Sequence, residues 1–346
     1  MDFVKFALQR LLRMVLCLVA VSVLTFTLLQ LAPGNFADIN SATSGSTGMD
    51  TGSTEQIGQQ FNSRYGEDVP VVQQYLIFMK GAVTWDMGPS YKYPNRTVED
   101  MIAQGFPVSA TLAVLAVILA LALSIPIGVI AALRHRKLAD TGTMFVITLG
   151  HALPSYLSAV FLIIVFAGWL QVLPAGGWEG PQNMILPVLA MGLGPLAVLS
   201  RYVRSAMLDT LSEEYVTAAY AKGGKPSTVV IGHVLRNSLI PLITVSGPML
   251  AGLMTGTLFI ETMFRIPGLG LMFTQAAASR DMPLLMGSTL FFAIILMVTN
   301  LLVDLVYGLI DPRIRAESGR RLRVSKDSRG PSEKAQDSVT VASNLG

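Results

Sequence analysis

Gly224-Lys225-Pro226-Ser227 is the nearest this sequence comes to a phosphate-binding loop. Such a loop reads G-x-x-x-x-G-K-[ST]: backbone N–H groups cradle the phosphates, the lysine reaches the terminal ones, and the hydroxyl sits on magnesium. Here a proline stands in the hydroxyl's place, Ala219 stands where the first glycine is needed, and no strand-like run leads in. ATP hydrolysis by this route is excluded. Metal-assisted hydrolysis lacks its signature too, since there is no H-E-x-x-H, and His135, His151 and His233 are far apart. Cys17 is the only cysteine, which removes an intrachain disulfide and any cysteine metal cluster. With no nucleophile–base pair either, an intramembrane hydrolase has nothing to work with. The expectation is a chain with no catalytic residue, no metal and no cofactor of its own.

What the stretch Asp209–Pro241 offers instead is mechanical. Thr210-Leu211-Ser212-Glu213 has capping-box spacing, so Thr210 is expected to open a helix and Glu213 to reach back to it. Tyr215, Ala218, Ala219 and Lys222 then fall at helical spacing on one face, which the two alanines keep shallow. Gly223-Gly224 supplies a left-handed stop, and Pro226 suits the first turn of a second helix. A small-faced helix, a tight turn and another helix make a knob over which another protein can pack.

The elements that must position this knob are apolar. Of 346 residues, 52% are hydrophobic and 14% charged, with a mean hydropathy of +0.55. A soluble domain carries about 25% charged residues, so the chain is expected to be an all-α integral membrane protein. Its apolar runs read as six transmembrane helices: Met14–Ala32, Thr111–Leu133, Thr143–Leu170 (kinked at Pro154), Ile185–Tyr202, a fifth near Ile240–Ile260, and Leu284–Ile310. The first follows Lys5, Arg10 and Arg13, and it exceeds the 7–15 apolar residues of a signal peptide, so it reads as uncleaved. Four segments result: an N-terminal span at 1–33, an extracytoplasmic segment at 34–106, a core of five spans at 107–312 enclosing 209–241, and a disordered tail at 313–346.

Orientation follows from the cations. Three precede the first span, and Arg134, Arg136 and Lys137 share one turn. Arg201, Arg204, Lys222, Lys225 and Arg236 gather around the knob, and Arg313, Arg315, Arg320, Arg321 and Arg323 follow the last span. The much longer 34–106 segment holds only Arg64, Lys80, Lys92 and Arg96. The positive-inside rule places both termini and the knob in the cytoplasm. Within 34–106, Pro70 is expected to open an amphipathic helix with Val72, Tyr75, Leu76 and Met79 on one face, and 98–104 to form a second short helix.

The segment EYVTAAYAKG at 214–223 resembles the EAA loop of permease subunits in bacterial ABC importers. Its continuation GHVLRNSLIP at 232–241 is similar to the peptide-importer branch of that family, whose pattern runs like H-A-L-R-N-A-L-I-P. Thr217 occupies the position for which the general motif names glutamate, and Tyr220 replaces an arginine of the peptide branch. The resemblance extends in order through QLAPG (30–34), WDMGPSYKY (85–93), FPVSA (106–110), LPAGGW (173–178), ETMFRIPGLG (261–270), SRD (279–281), VDLVY (303–307) and IDPR (310–313). Each motif alone is weak; the colinear set over roughly residues 1–315 resembles the B-type permease subunit of oligopeptide and dipeptide importers.

That resemblance implies the type I ABC importer permease fold and a role as half of a translocation pathway for oligopeptides. It implies a homologous second permease subunit, two cytoplasmic ATPase subunits that bind the ATP and magnesium, and an extracytoplasmic peptide-binding protein, with no nucleic acid involved. By the same resemblance the ATPase-coupling residues are Glu214, Tyr215, Thr217, Ala218, Ala219, Lys222, Gly223 and Gly224. Dipeptide, nickel or glycoside cargo is the alternative within the family. An ion-driven secondary transporter would need midplane charges and repeated halves, which this sequence lacks.

Other residues have bland readings. Arg201 and Arg204 read as span-end cations that snorkel, His151 as a packing histidine, Asp304 as a structural hydrogen-bonding group, and Glu261, Arg265, Arg280 and Asp281 equally as contacts for a substrate-delivering protein or as charges simply exposed on the outer side. The basic tail reads as solvated disorder, with contact to anionic membrane lipid as the alternative. Gly252 and Gly256 give a G-x-x-x-G face in the fifth span, equally suited to packing within the subunit or across an interface.

Overall fold

The computed structural model describes residues 2–31, 69–90, 92–93, 96–279 and 281–310. Expectations for Pro33-Gly34, most of the extracytoplasmic segment, Arg280 and the tail from 311 lie outside these residues, as do the side chains of Gly256 and Asp304. By internal contacts the chain divides into Leu16–Asn300 and a second unit of Met1–Val15 with Leu301–Gly346. The second unit is helical over its described residues. The packing and the sites below belong to the first.

Among the described residues of the whole chain the helices in order are α1 (Asp2–Leu31), α2 (Val71–Thr84), α3 (Val98–Leu133), α4 (Leu138–Ala152), α5 (Ser155–Leu162, continuing as π-helix Ile163–Trp169), α6 (Pro181–Leu211), α7 (Glu214–Ala221), α8 (Pro226–Val229, continuing as π-helix Val230–Leu235), α9 (Arg236–Gly256), α10 (Leu258–Phe264), α11 (Leu269–Ser279) and α12 (Met282–Ile310). Four contain stretches long and apolar enough to cross a membrane: Arg10–Leu28, Val98–Leu133, Pro181–Leu211 and Met282–Val303. The α4–α5 pair makes a fifth if counted as one span, bent by 101° at Leu153-Pro154. That break is where proline was expected to kink the third span; the residue before a proline is pushed out of the helical region, and Leu153 is extended.

The short helix expected at 98–104 and the span expected from Thr111 are one helix of 36 residues. Thr97 caps it by accepting from the Asp100 N–H, and Glu99 and Asp100 sit in its first turn, where the helix dipole favours acids. Pro107 does not break it. The spine is the parallel pair α3–α6, with Leu112 and Leu186 in one core cluster near their starts and Ala132 and Met207 in another near their ends. Small residues permit this close approach, as in membrane bundles generally: a Cβ on Gly128 would lie 2.6 Å from Val203 Cβ and 2.9 Å from the Ser200 carbonyl.

One end of α3 gathers the motif segments that sequence places far apart. Met87, Val98, Met101, Ile102, Leu269, Ala276, Leu284 and Leu285 share one core cluster. The Leu269 N–H donates to Ser109 Oγ (3.0 Å), and the Gly177 N–H donates to the Phe264 carbonyl (2.8 Å). Two carboxylates expected to be exposed are fully buried here. Asp281 accepts from Ser90 Oγ and, through the same oxygen, from the Lys92 N–H (3.2 Å), while Oδ1 takes the Leu284 N–H (3.3 Å) at the start of α12. Glu261 Oε2 takes the Leu271 N–H (3.1 Å) in the first turn of α11, and a side chain on Gly268 would collide with its carboxylate. Both acids accept from backbone N–H groups at helix starts, which offsets burial of Asp281 on both oxygens, while Glu261 Oε1 is buried with no hydrogen-bond partner among the described residues.

Asp281→Ala is therefore expected to leave Ser90 Oγ and two backbone N–H groups without their acceptor. About 1–3 kcal/mol per orphaned buried donor is at stake. The check is the thermal midpoint of the purified subunit together with proteolysis at 86–97. An unchanged midpoint with unchanged cleavage overturns the structural role given to Asp281.

Along α2 the expected apolar face divides. Tyr75, Phe78 and Met79 pack with Phe26 and Leu18 of α1, whereas Val72 and Leu76 are exposed. His151, read as a packing histidine, is exposed in this chain, and Gly252 meets open space rather than a neighbouring helix of the same subunit.

Candidate functional site

The far end of α3 carries the knob. α6 runs to Leu211, and α7 begins at Glu214 after a tight turn in which the Ser212 and Glu213 N–H groups donate to the Asp209 and Thr210 carbonyls (both 3.2 Å). The expected capping box does not form. Thr210 lies inside α6, its hydroxyl donating to the Ala206 carbonyl one turn back (2.8 Å), and Glu213 takes the N-cap position with no side-chain cap. A helix that continues through Thr210 uses its hydroxyl as interior Ser/Thr residues do, on the carbonyl four residues earlier.

α7 is pinned from below by a single side chain. Val216 is buried among Ala132, Leu199, Val203, Met207, Val229 and Val234, with Ala219 packed beside it. Two polar links add to this: Asn237 Nδ2 donates to Tyr215 Oη (2.8 Å), and Ser238 Oγ lies 3.1 Å from Thr210 Oγ1. The knob is thus tied to α6 on one side and to α9 on the other. Of the coupling residues, Glu214, Tyr215, Thr217, Ala218, Lys222 and Gly223 are exposed. Tyr215, Ala218 and Lys222 share the outward face as expected; Ala219 does not, because three-residue spacing from Val216 turns it inward.

Gly223 ends α7 at φ +82°, the left-handed stop its sequence predicts. Gly224 then passes close beneath Ala219, where an added Cβ would sit 2.8 Å from both the Ala219 carbonyl and Val229 Cγ2. Pro226 opens α8 at its first position, as anticipated. Gly223→Val is expected to cost about 1–3 kcal/mol of local strain at that left-handed position and to slacken α7. Faster amide exchange across 214–224 is the measurement; unaltered exchange overturns the claim that Gly223 sets the turn.

Sequence reasoning missed the charged cluster beside the knob. Asp140, buried in the first turn of α4, receives both Arg204 Nε (2.6 Å to Oδ1) and Arg204 Nη2 (2.7 Å to Oδ2), a bidentate pair. The Arg136 N–H donates to the same Oδ2 (3.1 Å), with Arg136 itself at φ +63°. His135 Nδ1 lies 3.0 Å from Arg204 Nη2 and 3.3 Å from Asp140 Oδ2. His135 Nδ1 is thus within reach of both members of the pair. Arg204, expected to snorkel, instead joins α6 to the α3–α4 turn about two helical turns from the knob. Arg201, one turn earlier, is exposed. The available signal was Asp140, an acid three residues past a cationic turn in a chain with few acids.

This geometry has a rigid, exposed small-faced helix at one end and no assembled catalytic group among the residues described here. Comparison with known proteins places it. Residues 124–316 match the family model described as binding-protein-dependent transport system inner membrane component, and residues 3–113 match the N-terminal model of the same transport systems. The chain is 37% identical over 311 residues to the dipeptide transport system permease protein DppB of Bacillus subtilis, covering 90% of this chain and 98% of that one. It is 34% identical over 313 residues to the oligopeptide transport system permease protein OppB of Haemophilus influenzae, covering 90% and 99%. Among solved structures, inward-facing MetNI methionine ABC transporter aligns with a TM-score of 0.47 at 15% identity, over 60% of this chain and 96% of that chain. Both family models and the near full-length relatives agree, and the chain belongs to the family of binding-protein-dependent transport system inner-membrane components.

Proposed function

We propose that this chain forms half of the membrane pathway of an ATP-driven importer of oligopeptides, and that separate ATPase subunits work it through α7. The observation that carries the proposal is the way α7 is fixed. Val216 packs it on α6, the Tyr215–Asn237 bond joins it to α9, and the Ser238–Thr210 bond ties α6 to α9, so displacement of its exposed face moves both helices rather than a loose loop. Glu214, Tyr215, Thr217, Ala218, Lys222 and Gly223 form the surface met by the ATPase, while Ala219 and Gly224 shape it from beneath.

In this reading the chain crosses the membrane six times, α9 supplying the further crossing, with both termini and α7 in the cytoplasm of a bacterial inner membrane. A homologous second permease completes the pathway, two ATPase subunits bind ATP and magnesium, and an extracytoplasmic protein delivers the peptide. This chain contributes no catalytic residue. Dipeptide cargo is the second reading, favoured by the relatives in Bacillus subtilis and Lactococcus lactis, both named as dipeptide permeases.

The test is reconstitution with the partner subunits in liposomes and uptake of labelled peptides of graded length. ATP-dependent accumulation of tetra- and pentapeptides supports the first reading, and accumulation restricted to dipeptides supports the second. No peptide uptake by an assembled, ATP-hydrolysing complex sinks both.

A further inference from the structure

A cleft of about 390 Å³ opens between α4 and α6, lined by Asp140, Thr141, Met144, Arg201 and Arg204. Each helix contributes residues three apart on one face, Thr141 and Met144 from α4, Arg201 and Arg204 from α6. The charges are unequal in availability. Arg204 is occupied by Asp140 in the bidentate pair, which holds the wall of the cleft and leaves its acid neutralised. Arg201 is exposed beside it. Arg134, Arg136 and Lys137 are exposed in the α3–α4 turn next to Asp140. The next acid along α6, Asp209, is eight residues beyond Arg201, about 12 Å at helical rise.

The other wall is apolar and continues outward. Met144 is followed on α4 by Phe145, Val146 and Leu149, exposed by 67%, 66% and 57%. A basic mouth leading directly onto an exposed apolar helix face suits a ligand with an anionic head and a hydrocarbon tail. Basic pockets between membrane helices on the cytoplasmic side hold anionic lipid head groups in this way. We propose that the α4–α6 cleft binds an anionic phospholipid, its phosphodiester on Arg201 and the Thr141 hydroxyl, and its acyl chain along Met144, Phe145 and Leu149. An acidic surface of the ATPase subunit would match the cations but leave the apolar wall unused.

The site belongs to the cytoplasmic leaflet only through the orientation proposed above; binding itself does not depend on transport. The purified full-length chain is therefore examined by native mass spectrometry from phosphatidylcholine micelles doped with phosphatidylglycerol or cardiolipin. Bound anionic lipid is expected, and Arg201→Gln should weaken it about fivefold, the effect of about one cation near a membrane surface. Lys92→Gln, an exposed cation at the opposite end of α3, should leave binding unchanged, and Arg201→Gln should keep the wild-type thermal midpoint because Arg201 is exposed. Met144→Asp, which sets a charge against the acyl chain, should weaken retention as well.

Three results overturn the proposal. The first is equal retention by wild type and Arg201→Gln. The second is displacement of the lipid by soluble glycerol phosphate, which would make the ligand a free phosphate. The third is loss of ATPase-subunit binding by Arg201→Gln in pure phosphatidylcholine, which would make Arg201 a protein contact. Failure of peptide uptake with intact lipid retention counts only against the transport reading.

Discussion

Ala218→Trp is expected to reduce ATP-dependent uptake at least about a hundredfold, corresponding to about 2.7 kcal/mol of lost transition-state stabilisation, while the subunit folds normally. Ala218 is exposed at the centre of the outward face of α7, with Tyr215 and Lys222 on either side by helical spacing. An indole there meets no atom of this chain's core, so the fold should shift by no more than about 0.5 kcal/mol, as for ordinary surface changes. A partner seated on a shallow face must instead back away by the thickness of a ring. Contacts at the centre of an interface carry most of its energy. ATP hydrolysis by the assembled complex should also lose its response to the binding protein.

Ala219→Trp is the informative contrast. Ala219 turns toward Val216 and the core, and Gly224 passes directly against it. Here the same added volume should lower the thermal midpoint and prevent assembly. If both variants behave alike, whether by transporting normally or by unfolding, the division of α7 into an outward and an inward face is wrong. The measurements are uptake in proteoliposomes and thermal midpoint in detergent, made on the same preparations.

The difference between those neighbouring alanines marks where sequence was informative. Composition placed the four long apolar helices and the bent α4–α5 pair, because apolar runs of this length have few other uses. Gly223 and Pro226 were legible because each has one conformational property that no other residue supplies as well. The face of α7 was half legible: spacing grouped Tyr215, Ala218 and Lys222, but small residues suit either side of a helix, so only packing on Val216 could assign Ala219. Thr210 misled for a related reason. Its capping spacing was sound, yet α6 simply continued through it.

The long-range pairings were not legible at all. Asp281 and Ser90 are 191 residues apart, and Arg204 and Asp140 are 64 apart. A single sequence carries no signal for such partners. A charge flanking an apolar run reads as a surface cation whether or not an acid waits in the adjacent helix. The ordered motifs at 85–93, 106–110, 173–178, 261–270 and 279–281 acquire a common meaning only in three dimensions, as the pieces that pack around one end of α3.

Breaking the Asp140–Arg204 pair is expected to be the most destabilising single change near the knob, and the two ways of breaking it should differ. Removing one partner from a buried ion pair costs about 3–5 kcal/mol, because a charge is left without compensation. Arg204→Met leaves the Asp140 carboxylate at 4% exposure, facing His135 and the Arg136 N–H alone. Asp140→Ala leaves a guanidinium whose side chain is already 25% exposed and long enough to swing into water. Arg204→Met should therefore lower the thermal midpoint more than Asp140→Ala. The double variant should recover much of the loss, since its remaining apolar groups carry no orphaned charge. Because the pair ties α4 to α6 near α7, Arg204→Met should also uncouple ATP hydrolysis from uptake at temperatures where the complex is still folded. Equal single-variant midpoints would remove burial of Asp140 as the cause, and a double variant no better than Arg204→Met would show that the pair acts through packing rather than charge.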